Sequence, residues 1–341
     1  MRIAEIAPVW FSVPPQGYGG IELVVALMAD GLVARGHDVT LFASGGSQTS
    51  ATLVSPMAEP PDPALLGNVW FDAYHSLAAF LHADEFDVIH DHSGIIGPAL
   101  GAMLADGPPV VHTLHGPWTE PARRFYELLH ERIELVAISE SQRAGHDGIR
   151  YAGTVYNGID VARYPFVEQK DDVLVYLGRA NPDKGPALAV EIAKRAGLPM
   201  VMMVKKSEPF ERDYWDNVVA PHLTDDIEVV ENVPHAEKVA MLGRAKAMVF
   251  PIRWSEPFGL VMIEAMACGT PVLTSPLGAA PELVAEGETG FLRESIDDLV
   301  DCVGRAGEIS PAACRERVEQ RFSADAMVDG YLEVFEGVRR P

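Results

Sequence analysis

The segment PIRWSEPFGLVMIEAMACGTPVL, residues 251–273, decides the fold of the second half of the chain. An apolar strand from Ala245 to Pro251 leads into it. Gly259 to Cys268 is apolar enough to form a buried helix, which Gly269 ends, and Thr270 to Thr274 resumes as a strand. A strand, a loop, a helix and a second strand in so short a stretch predict a parallel α/β sheet.

Two carboxylates flank the start of this helix. Glu256 lies just before it, and Glu264 follows eight positions later inside it. Backbone N–H groups at a helix N-terminus bind anions, and carboxylates accept hydrogen bonds from hydroxyls. The pattern therefore predicts an anion that carries hydroxyls on both sides, such as a nucleotide-sugar. The alternative is that Glu256 caps the helix, whose dipole favours nearby acids, and that Glu264 is a satisfied core residue.

Composition excludes several classes of protein. A chain of 341 residues predicts two domains, and a hydrophobic content of 48% is enough for sizeable cores. The net charge of −22 argues against a nucleic-acid partner, which needs clustered Lys and Arg. The same charge argues against association with an anionic membrane surface.

Cysteine usage and the N-terminal sequence predict a cytoplasmic protein. Cys268, Cys302 and Cys314 have neither metal-ligand spacing nor an even-numbered disulfide framework, as expected of a reduced protein. The first residues, MRIAEIAPVW, lack the long apolar region of a signal peptide. No apolar run approaches 18 residues, so we expect no transmembrane helix.

The first half of the chain opens with a strand, a glycine-rich loop, a helix and a strand. These elements are expected over Arg2 to Ala7, Pro8 to Gly20 with its GYGG end, Ile21 to Arg35, and Asp38 to Ala43. Such a loop before a helix can bind phosphate, or its glycines serve only the turn. It is not a dinucleotide fingerprint, because Glu22 stands where the third glycine should be.

A predicted helix over Leu65 to Ala83 carries an apolar stripe that we expect to pack in the core. The stripe consists of Trp70, Phe71, Tyr74, Leu77 and Phe80.

Two histidine-bearing segments follow predicted strands. His90 to Gly94 reads HDHSG, but alternation along a strand turns Asp91 away from both His90 and His92. No third and fourth ligand has motif spacing, so we expect no metal site. His115 ends the next strand, where open α/β sheets bind ligands; the alternative is that it caps the following helix.

The strand and helix alternation restarts after a linker at Ile159 to Asp172. A strand over Val173 to Leu177 leads into the loop GRANPDKG, which places Arg179 and Lys184 at the carboxyl end of the sheet. A diphosphate explains such a pair in so acidic a chain, because Arg offers a planar fork and Lys a point charge. The alternative is an Arg paired with a local acid and a Lys in a solvated loop.

With these residues placed, the chain resembles the family 4 glycosyltransferases over nearly its whole length. The motifs that carry the resemblance are EPFGLVMIEAMACGTPV, GRANPDKG and VYNGID. The family implies the GT-B fold, two Rossmann-like doubly wound parallel-sheet domains that face each other across a cleft. We expect an acceptor-side domain over residues 1–160, a donor domain over 161–323, and a C-terminal helix over 324–341 that packs back on the first domain.

The resemblance also implies roles for particular residues. The catalytic set has His115 beside the donor sugar, Arg179 and Lys184 on the departing diphosphate, and Glu256 on the sugar. The donor-binding set contacts phosphates, ribose and base, mostly through backbone groups, and comprises Gly19, Gly20, Asn232, Val233, Phe258, Gly259, Leu260 and Glu264.

The function implied is a retaining transfer of a sugar from a nucleoside diphosphate sugar, with UDP expected, to a soluble small-molecule or oligosaccharide acceptor. No metal is expected, since the chain lacks an Asp-X-Asp motif, and no cofactor is needed beyond the donor itself. The predicted helices at 21–35 and 65–83 share a single Arg, which disfavours a lipid acceptor. Overall resemblance extends to enzymes of oligosaccharide-antibiotic pathways of the avilamycin type.

Two other functions fit the same binding groups. A sugar-nucleotide epimerase or hydrolase would turn over the donor without an acceptor. A non-catalytic sugar-nucleotide sensor would bind the donor and show no turnover.

Overall fold

A computed structural model describes residues 1–15, 17, 19–104 and 106–339, with Pro63 through its backbone only. Gln16 and Tyr18 of the predicted glycine-rich loop, Ala105 and the last two residues of the predicted C-terminal helix lie outside these described residues. The chain forms two compact units. Unit 1 is Met1–Gly158 together with the C-terminal segment that begins at Ala324, and unit 2 is Ile159–Ser323.

Unit 1 is built on a sheet of seven parallel strands. They are β1 (Arg2–Ile6), β2 (Asp38–Phe42), β3 (Thr52–Val54), β4 (Val88–Asp91), β5 (Val110–Leu114), β6 (Glu134–Ala137) and β7 (Gly153–Thr154). Their order is β3-β2-β1-β4-β5-β6-β7, so the chain direction across the sheet reverses between β1 and β4. Buried parallel strands are covered on both faces, which explains why β5 is fully buried despite its His and Thr.

Five α-helices among the described residues connect these strands. They are α1 (Gly20–Ala34), α2 (Val69–Phe80), α3 (Ile96–Gly101), α4 (Glu120–Leu129) and α5 (Glu140–Ala144).

Unit 2 repeats the plan with six parallel strands. They are β8 (Asp171–Arg179), β9 (Met200–Lys205), β10 (Ile227–Glu231), β11 (Ala245–Phe250), β12 (Val272–Thr274) and β13 (Gly290–Leu292). Their order is β10-β9-β8-β11-β12-β13, so the reversal falls between β8 and β11. The predicted α/β class with two doubly wound parallel sheets is confirmed.

The helices of unit 2 include the one predicted from the opening segment. They are α6 (Pro186–Ala196), α7 (Pro209–Tyr214, continued by a π-helical turn over Trp215–Val219), α8 (His235–Arg244), α9 (Leu260–Ala267), α10 (Ala280–Leu283), α11 (Ile296–Arg305) and α12 (Pro311–Arg321). No helix among the described residues is both long and apolar enough to cross a membrane.

The last helix, α13 (Ala324–Val338), packs on α1 of unit 1. Gly31 permits this contact, because a Cβ there would lie 2.7 Å from Val328 Cγ2. Arg35 at the end of α1 donates hydrogen bonds to Asp325 and Asp329 at 3.1 and 2.7 Å.

The predicted core stripe of α2 is confirmed at Phe80, which is buried in the core, and is wrong for most of its other residues. Trp70 is 79% exposed, and Tyr74 and Leu77 are exposed as well. The helix instead buries the face that carries His75 and Ala79, and His75 Nε2 lies 3.0 Å from the carbonyl oxygen of Ala7. Trp70, Tyr74 and Leu77 therefore lie on the exposed side of the helix, and a hydrogen-bonded histidine lies on its buried side together with Phe80.

Candidate active site

Glycines begin the helices that follow the two switch points of the sheets. α1, α6 and α9 start after Gly19, Gly185 and Gly259, and none of the three has a side-chain cap. Other helices begin at a Ser or Thr whose side chain accepts a hydrogen bond from the first turn, as α4 does at Thr119 and α12 does at Ser310. The uncapped starts leave backbone N–H groups available to an anion.

The loop after β8 lies against the loop after β11. Gly185 has a φ of +70°, and a Cβ there would lie 2.2 Å from the carbonyl oxygen of Pro251, so the close approach requires glycine. The backbone N–H of Arg253 donates to the carbonyl of Asp183 at 2.8 Å. Because ligands of open α/β sheets bind at such a switch point, this is the natural binding region of unit 2.

Lys184 and Glu256 meet in this region although 72 positions separate them. The ammonium of Lys184 forms an ion pair with Glu256 Oε2, which also accepts a hydrogen bond from Trp254 Nε1 at 3.0 Å. Lys184 Nζ lies 4.3 Å from the centroid of the Trp254 ring. Lys184 is therefore not a solvated loop residue. The capping alternative for Glu256 fails too, since the N-cap of α9 is Gly259 and no side chain caps it.

Arg179 at the end of β8 is paired with Glu211, a fully buried residue of α7. The pair uses Nε of the guanidinium, and Glu211 Oε2 accepts from the backbone N–H of Glu208 at 3.0 Å. Among the described residues, the two terminal guanidinium nitrogens of Arg179 have no partner. The acid predicted as the alternative partner exists, but it leaves the fork of Arg179 open.

The start of α9 is shaped by Gly259, whose φ is +97°. A Cβ at this residue would lie 2.4 Å from Met262 Cε, so the turn requires glycine. The side chain of Phe258 is buried and packs edge-on against Phe322, with ring centroids 6.0 Å apart. The side chain of Phe258 therefore belongs to the packing of unit 2, and its predicted role in donor binding through the backbone stays a prediction, as does that of Gly259 and Leu260.

Glu264 is buried within α9 and is hydrogen-bonded. Its Oε1 accepts from Tyr164 Oη at 2.8 Å and from Lys238 Nζ at 2.6 Å. Burial, and then the neighbouring carboxylate, raise the pKa of Tyr164 far above its usual range, so Tyr164 stays a donor. Oε2 of Glu264 makes no hydrogen bond to any described residue. The core-residue alternative thus accounts for one of its two oxygens.

Asn232 and Val233 follow β10, the strand at the edge of the sheet. Asn232 is exposed and has a φ of +53°, a left-handed conformation that Asn tolerates better than most residues. Both residues lie at the carboxyl end of the sheet, as do Arg179 and the loop of Glu256.

In unit 1, Gly19 is the N-cap of α1 and Gly20 is the first residue of that helix. A Cβ on Gly19 would lie 2.7 Å from Pro15 Cβ and 2.9 Å from Glu22 Oε2, so the backbone is tightly enclosed there. His115 follows β5 and is half-buried, with Nε2 at 2.8 Å from His92 Nδ1. It does not cap the next helix, because Thr119 does.

The surroundings of His115 lower its affinity for protons. Burial, and then the charges of His92 and neighbouring histidines, hold the pKa of His115 well below its usual range. The imidazole is therefore neutral at physiological pH and has one N–H and one lone pair.

Asp91 faces away from His90 and His92, as strand alternation predicts. Asp91 Oδ2 lies 2.5 Å from His112 Nδ1 on the neighbouring strand β5. His90 and His92 instead meet Glu5 of β1, which is paired in register with His90. Glu5 was not among the predicted site residues, although an acid within the apolar strand IAEIA was the available signal.

Glu5, His90 and His92 each offer one ligand atom within 4.8 Å of the others, a spacing that also suits a metal ion. A third potential metal ligand, which was expected to be absent, is therefore present: it is Glu5 on β1, outside the histidine motif. Each ring nitrogen of the two histidines also has a polar neighbour within 3.4 Å, so hydrogen bonding accounts for the same arrangement.

The predicted site residues thus fall into two groups. Gly19, Gly20 and His115 belong to unit 1. The remaining nine belong to unit 2, where eight lie on or after the carboxyl ends of strands or at the start of α9, and Glu264 lies within α9.

Comparisons with known proteins agree with this architecture. Residues 18–163 match the family model Glycosyltransferase Family 4, and residues 162–306 match the model Glycosyl transferases group 1. A glycogen synthase of Mycobacterium tuberculosis is 27% identical in an alignment that covers all of this chain and 97% of the relative.

Solved structures share the fold over the full length. AviGT4, a glycosyltransferase involved in avilamycin A biosynthesis, is 25% identical with a TM-score of 0.74, covering 98% of this chain and 97% of its own. HepE of Anabaena, solved in complex with UDP and glucose, has a TM-score of 0.76 at 20% identity and covers 98% of this chain and 99% of its own. The two parallel-sheet units match the GT-B fold of these structural neighbours.

Proposed function

We propose that this chain, whose two halves match glycosyltransferase family models, moves a sugar from a nucleoside diphosphate sugar to its acceptor with retention of configuration. One observation supports the donor class most directly. At the switch point of unit 2, the open fork of Arg179, the ammonium of Lys184 and the uncapped start of α9 lie on adjacent β8 and β11 loops. A diphosphate supplies the negative charge that all three would bind.

The same groups suit the chemistry of the leaving group. Glycosyl transfer places negative charge on the departing diphosphate and positive charge on the sugar. Cations and helix-end amides held in place before the reaction stabilise the first of these charges, which is usually the largest catalytic contribution. We propose that the phosphates share Lys184 with Glu256, because an ammonium has three donors and the ion pair uses one.

The remaining groups of unit 2 fit the rest of a nucleotide-sugar. Glu264 would accept hydrogen bonds from the ribose hydroxyls through its unoccupied Oε2. The backbone at Asn232 and Val233 would meet the base, and Glu256 with the Phe258 to Leu260 backbone would hold the sugar and phosphate. UDP is the proposed nucleotide, supported by the UDP complex of the structurally similar HepE.

Unit 1 would contribute His115 to the sugar, and Gly19 and Gly20 to the donor phosphates. A neutral His115 suits this role, since an imidazolium would oppose the positive charge that develops on the sugar. The acceptor would attack on the face that the diphosphate leaves, so no protein nucleophile is assigned. We propose that the reaction needs no metal ion, since cations of the chain neutralise the leaving group.

The acceptor is proposed to be a small molecule or an oligosaccharide in the cytoplasm. The net charge of −22 disfavours an anionic membrane surface, and α1 has no basic residue in its last turn. An oligosaccharide acceptor of an antibiotic pathway is supported by the likeness to AviGT4.

The test is a set of nucleotide-binding and product measurements without metal. UDP, GDP, ADP and TDP are compared by thermal shift, where ligand at about 100 times its Kd adds about 2.7 kcal/mol to folding. Lys184→Met should reduce the selective shift, whereas Lys194→Met should not, because Lys194 is an exposed residue of α6 that donates to the carbonyl of His222, remote from the switch point.

Product analysis then separates the functions. NMR of the product from an α-linked donor should show an α-linkage, and EDTA should leave the rate unchanged. Epimerised or rapidly hydrolysed donor in the absence of acceptor would identify the epimerase or hydrolase instead. Tight binding with no turnover across an acceptor panel would identify a sensor.

A further inference from the structure

A chain of buried polar contacts leads from Glu5 on β1 to His115. Glu5 Oε1 lies 2.9 Å from His90 Nδ1, and Glu5 Oε2 lies 3.4 Å from His92 Nε2. His92 Nδ1 in turn lies 2.8 Å from His115 Nε2. Glu5 and His90 are fully buried and His92 nearly so, whereas His115 is half-buried.

We propose that Glu5 and His92 are positioning residues that hold His115 in a single tautomer, with its proton on Nε2 and an open acceptor at Nδ1. The protons of the chain follow from the contacts one residue at a time. The importance of this tautomer for catalysis rests on the proposed function, whereas the presence of the tautomer does not depend on it.

The tautomer of His92 is set by Glu5. His92 is neutral, since burial lowers its pKa to about 4, so it has a single N–H. Its Nε2 lies 3.4 Å from Glu5 Oε2, a buried oxygen with no hydrogen-bond partner among the described residues, and 3.2 Å from His90 Nδ1, which itself lies 2.9 Å from Glu5 Oε1. A lone pair placed there would leave the buried Oε2 without any donor, so the proton belongs on Nε2, where it points to Oε2, and leaves Nδ1 as an acceptor.

The protonation state of Glu5 does not alter this result. Burial raises the pKa of Glu5 and so favours the neutral, protonated form of its carboxyl group. A proton on the carboxyl would lie on Oε1, which is nearer to a ring nitrogen, the Nδ1 of His90. Oε2 would then remain a carbonyl oxygen, which still accepts from His92.

The other end of the network is also satisfied. His90 Nε2 lies 2.9 Å from Thr113 Oγ1, which lies 2.8 Å from Tyr331 Oη on α13. With a charged Glu5, His90 donates from Nδ1 and accepts from Thr113, and Thr113 accepts from Tyr331. Every hydrogen-bond donor of this network then has an acceptor.

The consequence appears at His115. Because His92 Nδ1 accepts, Nε2 of His115 must donate, and a neutral imidazole then has its lone pair on Nδ1. That nitrogen has no partner among the described residues. His115 is therefore prepared to accept a hydrogen bond from a hydroxyl, and the opposite tautomer would present an N–H to the same group.

The experiment measures the tautomer directly. In protein labelled with ¹⁵N-histidine, two-bond ¹H–¹⁵N correlations distinguish protonated Nε2 from protonated Nδ1. We expect wild-type His115 to be protonated on Nε2. Glu5→Leu should convert it to a mixture or to the other tautomer, whereas Glu5→Gln should preserve it, because the amide oxygen can face His92 while its NH₂ faces His90.

Asp91→Asn is the matched control. It weakens the contact of a buried acid with His112 on the opposite face of the same sheet. Its cost to stability should be comparable with that of Glu5→Leu, but the tautomer of His115 should not change. In kinetics, Glu5→Leu should lower kcat about 10-fold or more with a nearly unchanged KM for the donor, and Glu5→Gln should restore most of the loss.

Three results would overturn the proposal. The first is a wild-type His115 protonated on Nδ1, which needs no variant to fold. The second is an unchanged tautomer in Glu5→Leu. The third is a stoichiometric transition metal in the purified protein, since a metal on His92 Nε2 would displace the proton there. If the NMR result holds and no transferase activity is found, the proposed function fails and the tautomer stands.

Discussion

Replacing Lys184 with Met tests the central contact of unit 2. The substitution removes the cation that pairs with Glu256, whose side chain is only 9% exposed. Losing one partner of a buried ion pair costs about 3–5 kcal/mol. Lys184 is itself 19% exposed and Trp254 still donates to the carboxylate, so the loss is that of one charged hydrogen bond, about 1–3 kcal/mol.

The effect on ligand binding can be estimated in the same way. A hydrogen bond from an ammonium to a phosphate contributes about 1.5–3 kcal/mol, so Kd for UDP should rise about 10- to 100-fold. Turnover should fall by about 10²–10³, because the leaving-group charge loses one fixed donor. Urea unfolding, calorimetric titration with UDP and steady-state rates measure the three quantities.

A double-mutant cycle with Glu256→Gln isolates the pair. Glu256→Gln alone should leave UDP binding intact or tighter, since it frees Lys184, while it lowers turnover of the sugar donor. The two substitutions together should destabilise less than the sum of their separate effects. Purely additive stabilities, within about 0.5 kcal/mol, together with unchanged UDP binding in Lys184→Met would refute the reasoning.

Three further predictions concern stability. Gly278→Ala should lower the free energy of unfolding by several kcal/mol, since φ is +58° and a Cβ would lie 2.2 Å from a backbone nitrogen. Gly304→Ala is the control, because the space around Gly304 is open and its substitution should not destabilise the protein. Equal melting temperatures of the two variants would contradict this prediction. Lys170→Met should cost about 1–3 kcal/mol in urea unfolding, because Nζ donates to two helix-end carbonyls and a threonine hydroxyl, and a smaller loss would show that water replaces it. Burial lowers the pKa of His90 to about 3 and that of His92 to about 4, below the usual 6.5, so the unfolded state binds more protons than the folded state. As the pH is lowered from 6.5 to 5, the free energy of unfolding should therefore fall by up to about 1.4 kcal/mol per pH unit for each histidine. A His90→Asn variant with the same slope would contradict this prediction.

The sequence predicted those features that depend on local patterns. The apolar runs of the opening segment, with Gly259 and Gly269 as boundaries, were enough to place α9 and its flanking strands. Helix-capping residues and glycines have conformational preferences that depend on the local backbone, so they can be recognised without knowing which distant residues lie beside them.

What the sequence could not predict depends on which distant residues meet. Glu5 became a partner of His90 only through the register between β1 and β4, and a shift by one residue would have turned it to the other face. The pairing of Arg179 with Glu211 likewise needs the position of α7. The stripe containing Trp70 misled because periodicity identifies an apolar face but not what covers it.

The position of α13 has a consequence for the order in which the protein is made. Unit 1 needs this helix, whose Tyr331 contacts Thr113, yet the ribosome synthesises all 165 residues of unit 2, 159–323, before it. At about 5–20 residues per second, the first unit waits about 10–30 s for its last helix, while the second is complete on emergence. Premature termination near the end of the message would thus spare the second unit and leave the first, although synthesised earliest, permanently unfinished.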